Sequence, residues 1–481
     1  WSASGVLSIG VALLVTISSL AKWMILRRMR SPDPVQPPEG LRVAAVTTYV
    51  AHSEPIEMIE ITLQAMCAMA YPHDTWLLDE TDDEAARKLC RKLGVRHFSR
   101  KYRPEYHGDG GTFGSRTKHG NYNAWLTDYG FDHYDVVAAF DPDHIPRPEY
   151  LIQTIGYFCD GRIGYVQAPQ VYYNQAASFI AAGAAEETYD FNSTIQMAAF
   201  GMGYPIVMGC HNVHRVTALE AVGGFAAHDA DDLLITMHYR EAGWSGVYVP
   251  LVLAKGVTPV DWPGYLTQQR RWARSLLDLK LRRGGANGVN LPLKTRIASG
   301  LHGVNYLQPL LLAAMSYVLV LEIALRGSLP VTLASLPKVP LLAVAALLTI
   351  CYLFRQRYFL QPDVEAGVHC RARLLRLAKV PQLALAFSDV MFGRQFGYVM
   401  TPKSATNDGN VRGNPLLGFA AAGTTVAAAW LYSASTLASY TMEAHLVSSA
   451  VVSFCGSLFS TQFLRRPKPF DARLAKRAHE G

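Results

Sequence analysis

Apolar residues are spread unevenly along the chain. Residues 5–26 form a largely apolar run that is uncharged except for Lys22, and Arg27, Arg28 and Arg30 follow at once. Apolar runs return at about 304–325, 330–354, 414–435 and 442–464. Each is close to the ~20 residues that cross a bilayer as a helix. From about 40 to 290 no stretch is that long, and the pattern changes to short apolar runs alternating with helix-period segments. Arg42–Tyr49 reads as a buried strand, and Pro55–Met69 has helical spacing that Tyr71-Pro72 breaks. Trp76–Leu78 is a short strand ending in Asp79, and Val136–Phe140 runs straight into Asp141-Pro142-Asp143. Such alternation predicts an open, mostly parallel α/β sheet. The expected architecture is an α/β domain inserted in an α-helical transmembrane bundle of about five spans.

Charge placement orients that bundle. Lys294 and Arg296 precede the run at 304–325, Arg355 and Arg357 follow the next, and Arg465, Arg466 and Lys468 follow the last. Five spans with the N-terminus outside put every cluster in the cytoplasm, where Lys and Arg collect. A cleaved signal peptide would carry its positive charge before the apolar core, not after it. Arg371, Arg373, Arg376 and Lys379 alternate with Leu374, Leu375, Leu377 and Val380, a basic amphipathic pattern suited to the membrane interface. The glycine-bearing Gly393–Gly397 stretch reads as a loop. The expected order is an anchor at 1–30, a cytosolic domain at 40–290 and a span pair at 300–354. An interfacial helix and loop at 355–412, a span pair at 414–465 and a cytosolic tail at 466–481 follow. The expected location is the plasma (inner) membrane, multi-pass.

Composition narrows the class further. Of 481 residues, 50% are hydrophobic and 17% charged, below the ~25% charge of ordinary soluble domains. So apolar a chain buries enough surface to exclude disorder. Seven cysteines without a C-x-x-C pair exclude a disulfide scaffold. The net charge of +7 comes from basic residues that flank the spans, which points to anionic lipid headgroups and not to nucleic acid.

The chemistry lies in the acids. Asp79, Asp141 and Asp143 fall at the carboxyl ends of strands, where open α/β sheets bind ligands. Two carboxylates straddling Pro142 suit a hard divalent cation with phosphate oxygens, although Asp-x-Asp by itself is common. Asp229-Ala230-Asp231-Asp232 opens a helical stretch. Its acids serve either the helix dipole or a hydroxyl nucleophile as general base. Gln268-Gln269-Arg270-Arg271-Trp272 offers guanidinium groups for a diphosphate and an indole for a sugar ring, or else a basic interfacial helix. His211 and His214 have a spacing that could suit a metal. A structural zinc needs four ligands, and with no companion Cys/His pair they are assigned none.

In order, these elements resemble the membrane-bound family 2 glycosyltransferases, within them cellulose synthase and its relatives. Glu54–Pro72 is similar to that family's opening helix, and Asp79-Glu80 stands at its Asp-Asp pair. Lys118-His119-Gly120-Asn121-Tyr122-Asn123 resembles Lys-Ala-Gly-Asn-x-Asn, and Asp141-Pro142-Asp143-His144 matches Asp-x-Asp-His. Ala230-Asp231-Asp232 stands at Thr-Glu-Asp, Gln268-x-x-Arg271-Trp272 matches Gln-x-x-Arg-Trp, and Tyr398–Lys403 resembles the gating loop. The departures are Ala230-Asp231, a longer Tyr49–Glu54 segment, and Cys210-His211-Asn212 in place of Cys-Gly-Ser.

The resemblance implies a GT-A (Rossmann-like) fold and inverting, processive transfer of glucose from UDP-glucose to a β-linked glycan exported through the protein's own channel. It places the catalytic base at Asp232 and Mg²⁺ or Mn²⁺ on Asp143. Asp79, Lys118, Asp141, Gln268 and Arg271 would bind the nucleotide-sugar, Trp272 and Asp231 the acceptor, and Tyr398, Thr401 and Lys403 would close the gate. Accessory export subunits are admitted as partners. Other readings stay open: one sugar added to a lipid, or another β-glycan such as a mannan, a β-1,3-glucan or an amino-sugar polymer. A transporter with a degenerate nucleotide-sensing domain is the reading from a different class.

Overall fold

The computed structural model describes residues 16–17, 19–281, 310, 338–367 and 369–394. Among them the strands are β1 (Val43–Tyr49), β2 (Asp74–Asp79), β3 (Arg96–Phe98), β4 (Val136–Phe140) and β5 (Ile145–Pro146). They continue as β6 (Ile163–Gln167), β7 (Val171–Tyr172), β8 (His211–Arg215), β9 (Ser245–Tyr248) and β10 (Ala254–Gly256). The helices that matter here are α1 (Ile56–Cys67), α2 (Glu84–Leu93), α3 (Lys118–Trp125), α4 (Phe179–Asp190) and α5 (Asp231–Glu241). After them come α6 (Trp262–Leu281), α7 (Lys338–Arg355), α8 (Cys370–Ala378) and α9 (Val380–Met391).

Strand β1 is apolar at almost every position because both of its faces are covered. Val43 and Ala45 pack with Ile59, Leu63 and Met66 of α1, while Ala44 and Val46 pack with Tyr122 and Trp125 of α3. Seven strands lie in the order β3-β2-β1-β4-β8-β6-β9. The first four are parallel, as expected, but β8 runs antiparallel between β4 and β6. That strand enters from the site edge, so it brings the loop before His211 beside the end of β4. A small second sheet, β5-β10-β7, flanks the same edge.

The segment expected at the membrane interface is fastened to this domain by buried charges. Arg355 sits against Asp190, Ser193, Thr194 and Glu365. Glu186 of α4 holds the Arg371 side chain at 2.6 Å and the Ala372 amide at 3.0 Å. The next residue, Glu187, accepts from Lys379 at 2.9 Å and from the Tyr265 hydroxyl at 2.6 Å. Lys379 also donates to Gln269 of α6 at 2.9 Å, and Arg270 reaches Asp389 of α9 at 2.6 Å. The basic face of α8 therefore has specific acidic partners on the α/β domain, a use that composition alone does not reveal.

Among the described residues no helix is long and apolar enough to cross a membrane. The expected runs at 414–435 and 442–464 lie outside the described residues, as does 304–325 but for residue 310. The gating-loop residues Tyr398, Thr401 and Lys403 lie outside them too.

Candidate active site

Four strand ends and two helix starts meet at one edge of the large sheet. The antiparallel pairing of β4 with β8 sets Phe140 opposite His211, and the Asp141 amide donates to the Cys210 carbonyl at 2.6 Å. Gly209 thereby becomes the floor of the site. Its carbonyl accepts from Lys118 Nζ at 2.5 Å, and the same ammonium lies 2.5 Å from Asp141 Oδ1. A Cβ built on Gly209 would lie 3.9 Å from both Asp231 Oδ1 and Asp232 Oδ2. Asp141, Lys118, Asp231 and Asp232, distant in sequence, thus converge around one residue.

Each of these side chains has a local reason for its place. Lys118 opens α3, where the Thr117 side chain accepts from the Gly120 amide and caps the helix. Gly120 must lack a side chain, since a Cβ there would lie 2.3 Å from the Gly114 carbonyl oxygen. Asn121 donates to Leu78 O, and Asn123 clamps the Phe225 backbone through both its amide atoms. These two asparagines act as tethers of the α3 frame. Asp231 and Asp232 open α5, the end of a helix that favours acids.

Electrostatics separate the two acids from their neighbours. Burial pushes the Asp232 carboxyl up to about 7, and the adjacent Asp231 adds to the shift against weaker opposition from Lys118. Burial raises Asp231 as well, with Lys118 and His119 acting against it. Burial opposes the charge on Lys118, but Asp141, Tyr122 and Asp231 outweigh it and raise its pKa. A carboxyl poised near neutrality beside an ammonium that stays charged is the arrangement general-base chemistry needs. Because the acids titrate together, the apparent pKa belongs to the pair. We expect kcat/KM to rise as pH increases through about 7, and Asp232→Asn to flatten that limb of the profile. Stability should move the opposite way. A carboxyl raised in the folded state stabilises it at low pH, and that contribution is lost as pH rises through about 7. Thermal melts across this range, with and without Asp232→Asn, read it directly.

Asp143 turns inward where Asp141 turns out. It is 1% exposed, accepts from the Val257 amide at 3.2 Å, and has Oδ1 3.4 Å from His144 Nδ1. One donor atom each from Asp141, Asp143 and His144 lies within 4.8 Å of the others. The two carboxylates fit a hard divalent ion of the Mg²⁺ or Mn²⁺ class, with the His144 imidazole against Asp143. Burial opposes the charge on His144, but Asp143 prevails and raises its pKa to about 10.

Asp79 is committed to its own loop. Its carboxylate is wholly buried and accepts from Thr81, Asp82 and Asp83 amides, the Thr81 hydroxyl and His97. Burial pushes it up, but the hydrogen bonds from His97, Thr81 and the backbone win and hold it below the usual carboxylate range. These hydrogen bonds shape the turn beyond β2. Glu80 beside Asp79 accepts from Nε and Nη2 of Arg100, a residue the sequence did not single out. Arg100 is fully buried and also donates to the carbonyls of Tyr106 and Gly114, so it locks the glycine-rich 108–114 loop against α3. Arg100→Ala would strand Glu80 and these carbonyls, and should cost about 3–5 kcal/mol in denaturant unfolding.

Gln268, Arg271 and Trp272 lie half-buried on α6. One turn further on, Arg274 pairs with Asp229 at 2.9 Å, and Asp278 lies 3.2 Å from His228. Leu276 and Leu279 pack with Ala230, Leu233 and Met237. These contacts fix α6 beside the loop that delivers Asp231 and Asp232.

A mixed sheet of this order, with an Asp-x-Asp at its central strand end and an acid pair facing it, is a GT-A-like α/β fold. Residues 136–355 match the family described as glycosyl transferase family group 2, which makes this stretch a glycosyltransferase domain. Its curated relatives are polysaccharide synthases at low identity. The UDP-forming cellulose synthase catalytic subunit of Xanthomonas axonopodis pv. citri is 24% identical over 277 residues, 56% of this chain and 36% of the relative. A probable glucomannan 4-beta-mannosyltransferase of Oryza sativa subsp. japonica is 27% identical over 232 residues, 45% of this chain and 40% of the relative. The matches thus span only about a third to two fifths of these relatives. Among solved structures, a mannosyltransferase from Pyrobaculum calidifontis in complex with GDP-Man and Mn²⁺ superposes with a TM-score of 0.51 at 18% identity. It covers 80% of this chain and 99% of that one, a likeness of fold.

Proposed function

We propose that the protein is an inverting, processive hexosyltransferase that moves glucose from UDP-glucose onto a growing β-linked glycan. In this reading it lies in the plasma membrane with the catalytic domain on the cytosolic side, and the apolar runs form the export channel. The observation that carries it is the meeting of Asp141, Lys118, Asp231 and Asp232 around Gly209. Asp232 takes the proton from the acceptor hydroxyl as its oxygen attacks the anomeric carbon, and the nucleoside diphosphate leaves on the opposite face. Lys118 holds Asp141 and the floor of the site, and Asp231 keeps the Asp232 carboxyl basic enough for the task. Arg271 faces the leaving diphosphate and Trp272 stacks the terminal acceptor sugar. A divalent ion held by the carboxylates of Asp141 and Asp143 would supply charge neutralisation at the diphosphate.

A second reading, a mannan synthase using GDP-mannose, is supported by the glucomannan mannosyltransferase relative and by the mannosyltransferase fold neighbour. The test is nucleoside diphosphate release by the purified protein across a panel of UDP- and GDP-sugars with Mg²⁺ or Mn²⁺, followed by sizing of the product. A long glycan from UDP-glucose is the expected result. A polymer from GDP-mannose would move the assignment to mannan, and a single sugar on a lipid would end the processive reading.

A further inference from the structure

His211, where the sequence departs from the Cys-Gly-Ser pattern it resembles, forms with Cys210 and His144 a cluster behind the carboxylates of Asp141 and Asp143. His211 and His214 are three positions apart on β8, so the strand's two-residue period sends them to opposite faces. His214 is satisfied: its ring nitrogens meet the Tyr239 hydroxyl at 2.8 Å and Asn212 Oδ1 at 2.7 Å. His211 points the other way, toward His144, with ring centroids 5.3 Å apart, and toward Tyr150 at 6.0 Å. The thiol of Cys210 completes the group, and one donor atom from each of His144, Cys210 and His211 lies within 4.8 Å of the others.

This cluster is closed to solvent. His144 is 2% exposed, Cys210 3%, and His211 and Tyr150 0%. Yet, among the described residues, His144 Nε2, both ring nitrogens of His211 and the Tyr150 hydroxyl make no well-formed hydrogen bond, the Pro169 backbone being the polar neighbour of the His211 ring. Polar atoms so deeply buried are normally satisfied, and each exception asks for a bound group. Two imidazoles and a thiol form a donor set for a borderline or soft ion, unlike the hard carboxylate oxygens of Asp141 and Asp143. The contact from His144 Nδ1 to Asp143 Oδ1 is the carboxylate–imidazole arrangement that orients metal-bound histidines.

We propose that His144, Cys210 and His211 form a second cation site, for a thiophilic divalent ion of the Zn²⁺ class, behind the carboxylates that face the donor. The three protein donors leave one coordination position, for which the Tyr150 side or a water is available. Binding requires Cys210 as thiolate, so its proton is released to solvent as the ion enters. The inference does not depend on which sugar the enzyme transfers.

Cobalt(II) tests it without an activity assay. The full chain, with cysteines reduced and metals removed by chelation, is titrated with Co²⁺ in the presence of excess Mg²⁺ to fill hard-oxygen sites. In parallel, the metal content of protein grown in Zn²⁺- or Co²⁺-supplemented medium is measured. We expect a thiolate-to-cobalt charge-transfer band that saturates at one equivalent and is lost in Cys210→Ser. His211→Asn should weaken Co²⁺ binding by about tenfold or more. This near-isosteric change also stands as the deciding variant should Cys210→Ser not fold. Absence of the band together with absence of bound metal after supplemented growth overturns the site, and leaves buried water as the occupant. A band that persists unchanged in the folded variants overturns it equally, since the thiolate would then be another cysteine.

Discussion

Asp232→Asn should lower kcat by about 10²–10⁴-fold, the range a positioned general base contributes, while donor binding stays close to that of the wild type. The substitution keeps the side chain's shape and its place at the start of α5. It removes the basicity that lets the side chain take the acceptor's proton. Asp232 is the member of the acid pair held near neutrality, at about 7, so at pH 7.5 more than half of it is available as base. Asparagine also removes a costly buried charge next to Asp231, so the variant should be at least as stable as the wild type at alkaline pH. Lost turnover with retained stability and nucleotide affinity is therefore the expected signature. Turnover within threefold of wild type would refute the assignment of the base.

Asp143→Asn is expected to remove both divalent-cation dependence and activity, with kcat/KM falling by about 10²–10³-fold, as when one charge-stabilising group is lost from a reaction centre. Asp143 is almost wholly buried at the end of β4, in contact with Val257 and His144. An isosteric amide keeps the packing but forfeits the negative charge that attracts the ion and holds the His144 ring. Donor affinity measured with and without Mn²⁺ separates this from a folding defect: the wild type should gain affinity with the ion and the variant should not. A fully active, metal-independent variant would show that Asp143 serves only to hold the Val257 loop.

Much of this site can be read from local sequence, and the reason is geometric. In a parallel sheet the last residue of a strand and the first of the following loop face the ligand edge, so Asp141 and Asp143 are located once Val136–Phe140 is recognised as a strand. Asp231 and Asp232 are located by the helix they open, whereas Lys118 is singled out only by the motif that Lys118–Asn123 resembles, its capped helix start being seen in the structure. Asp79 shows the limit of that rule. Its position at a strand end is as expected, but its oxygens are spent on Thr81, Asp82, Asp83 and His97, which local spacing cannot foretell. Arg100 carries no local signal either, because an arginine after a short edge strand reads as a solvated charge. Only the closure of the 108–114 loop over it makes it a buried clamp.

The sequence by itself determined the α/β alternation, the acids at the strand ends, the helix start at Asp231, and the apolar runs outside the domain. These depend on period and on neighbouring residues, which a chain carries with it in any context. Tertiary structure alone decided what depends on distant segments arriving together. The antiparallel entry of β8 put Gly209 under four charged side chains and turned His211 toward His144 instead of His214. The pairing of Glu186 and Glu187 with Arg371 and Lys379 gave a basic amphipathic helix a protein partner. Charges that far apart in sequence choose one another only after the hydrophobic faces have packed. Burial makes a bare charge costly, so the pairing is fixed by the fold and not by spacing along the chain.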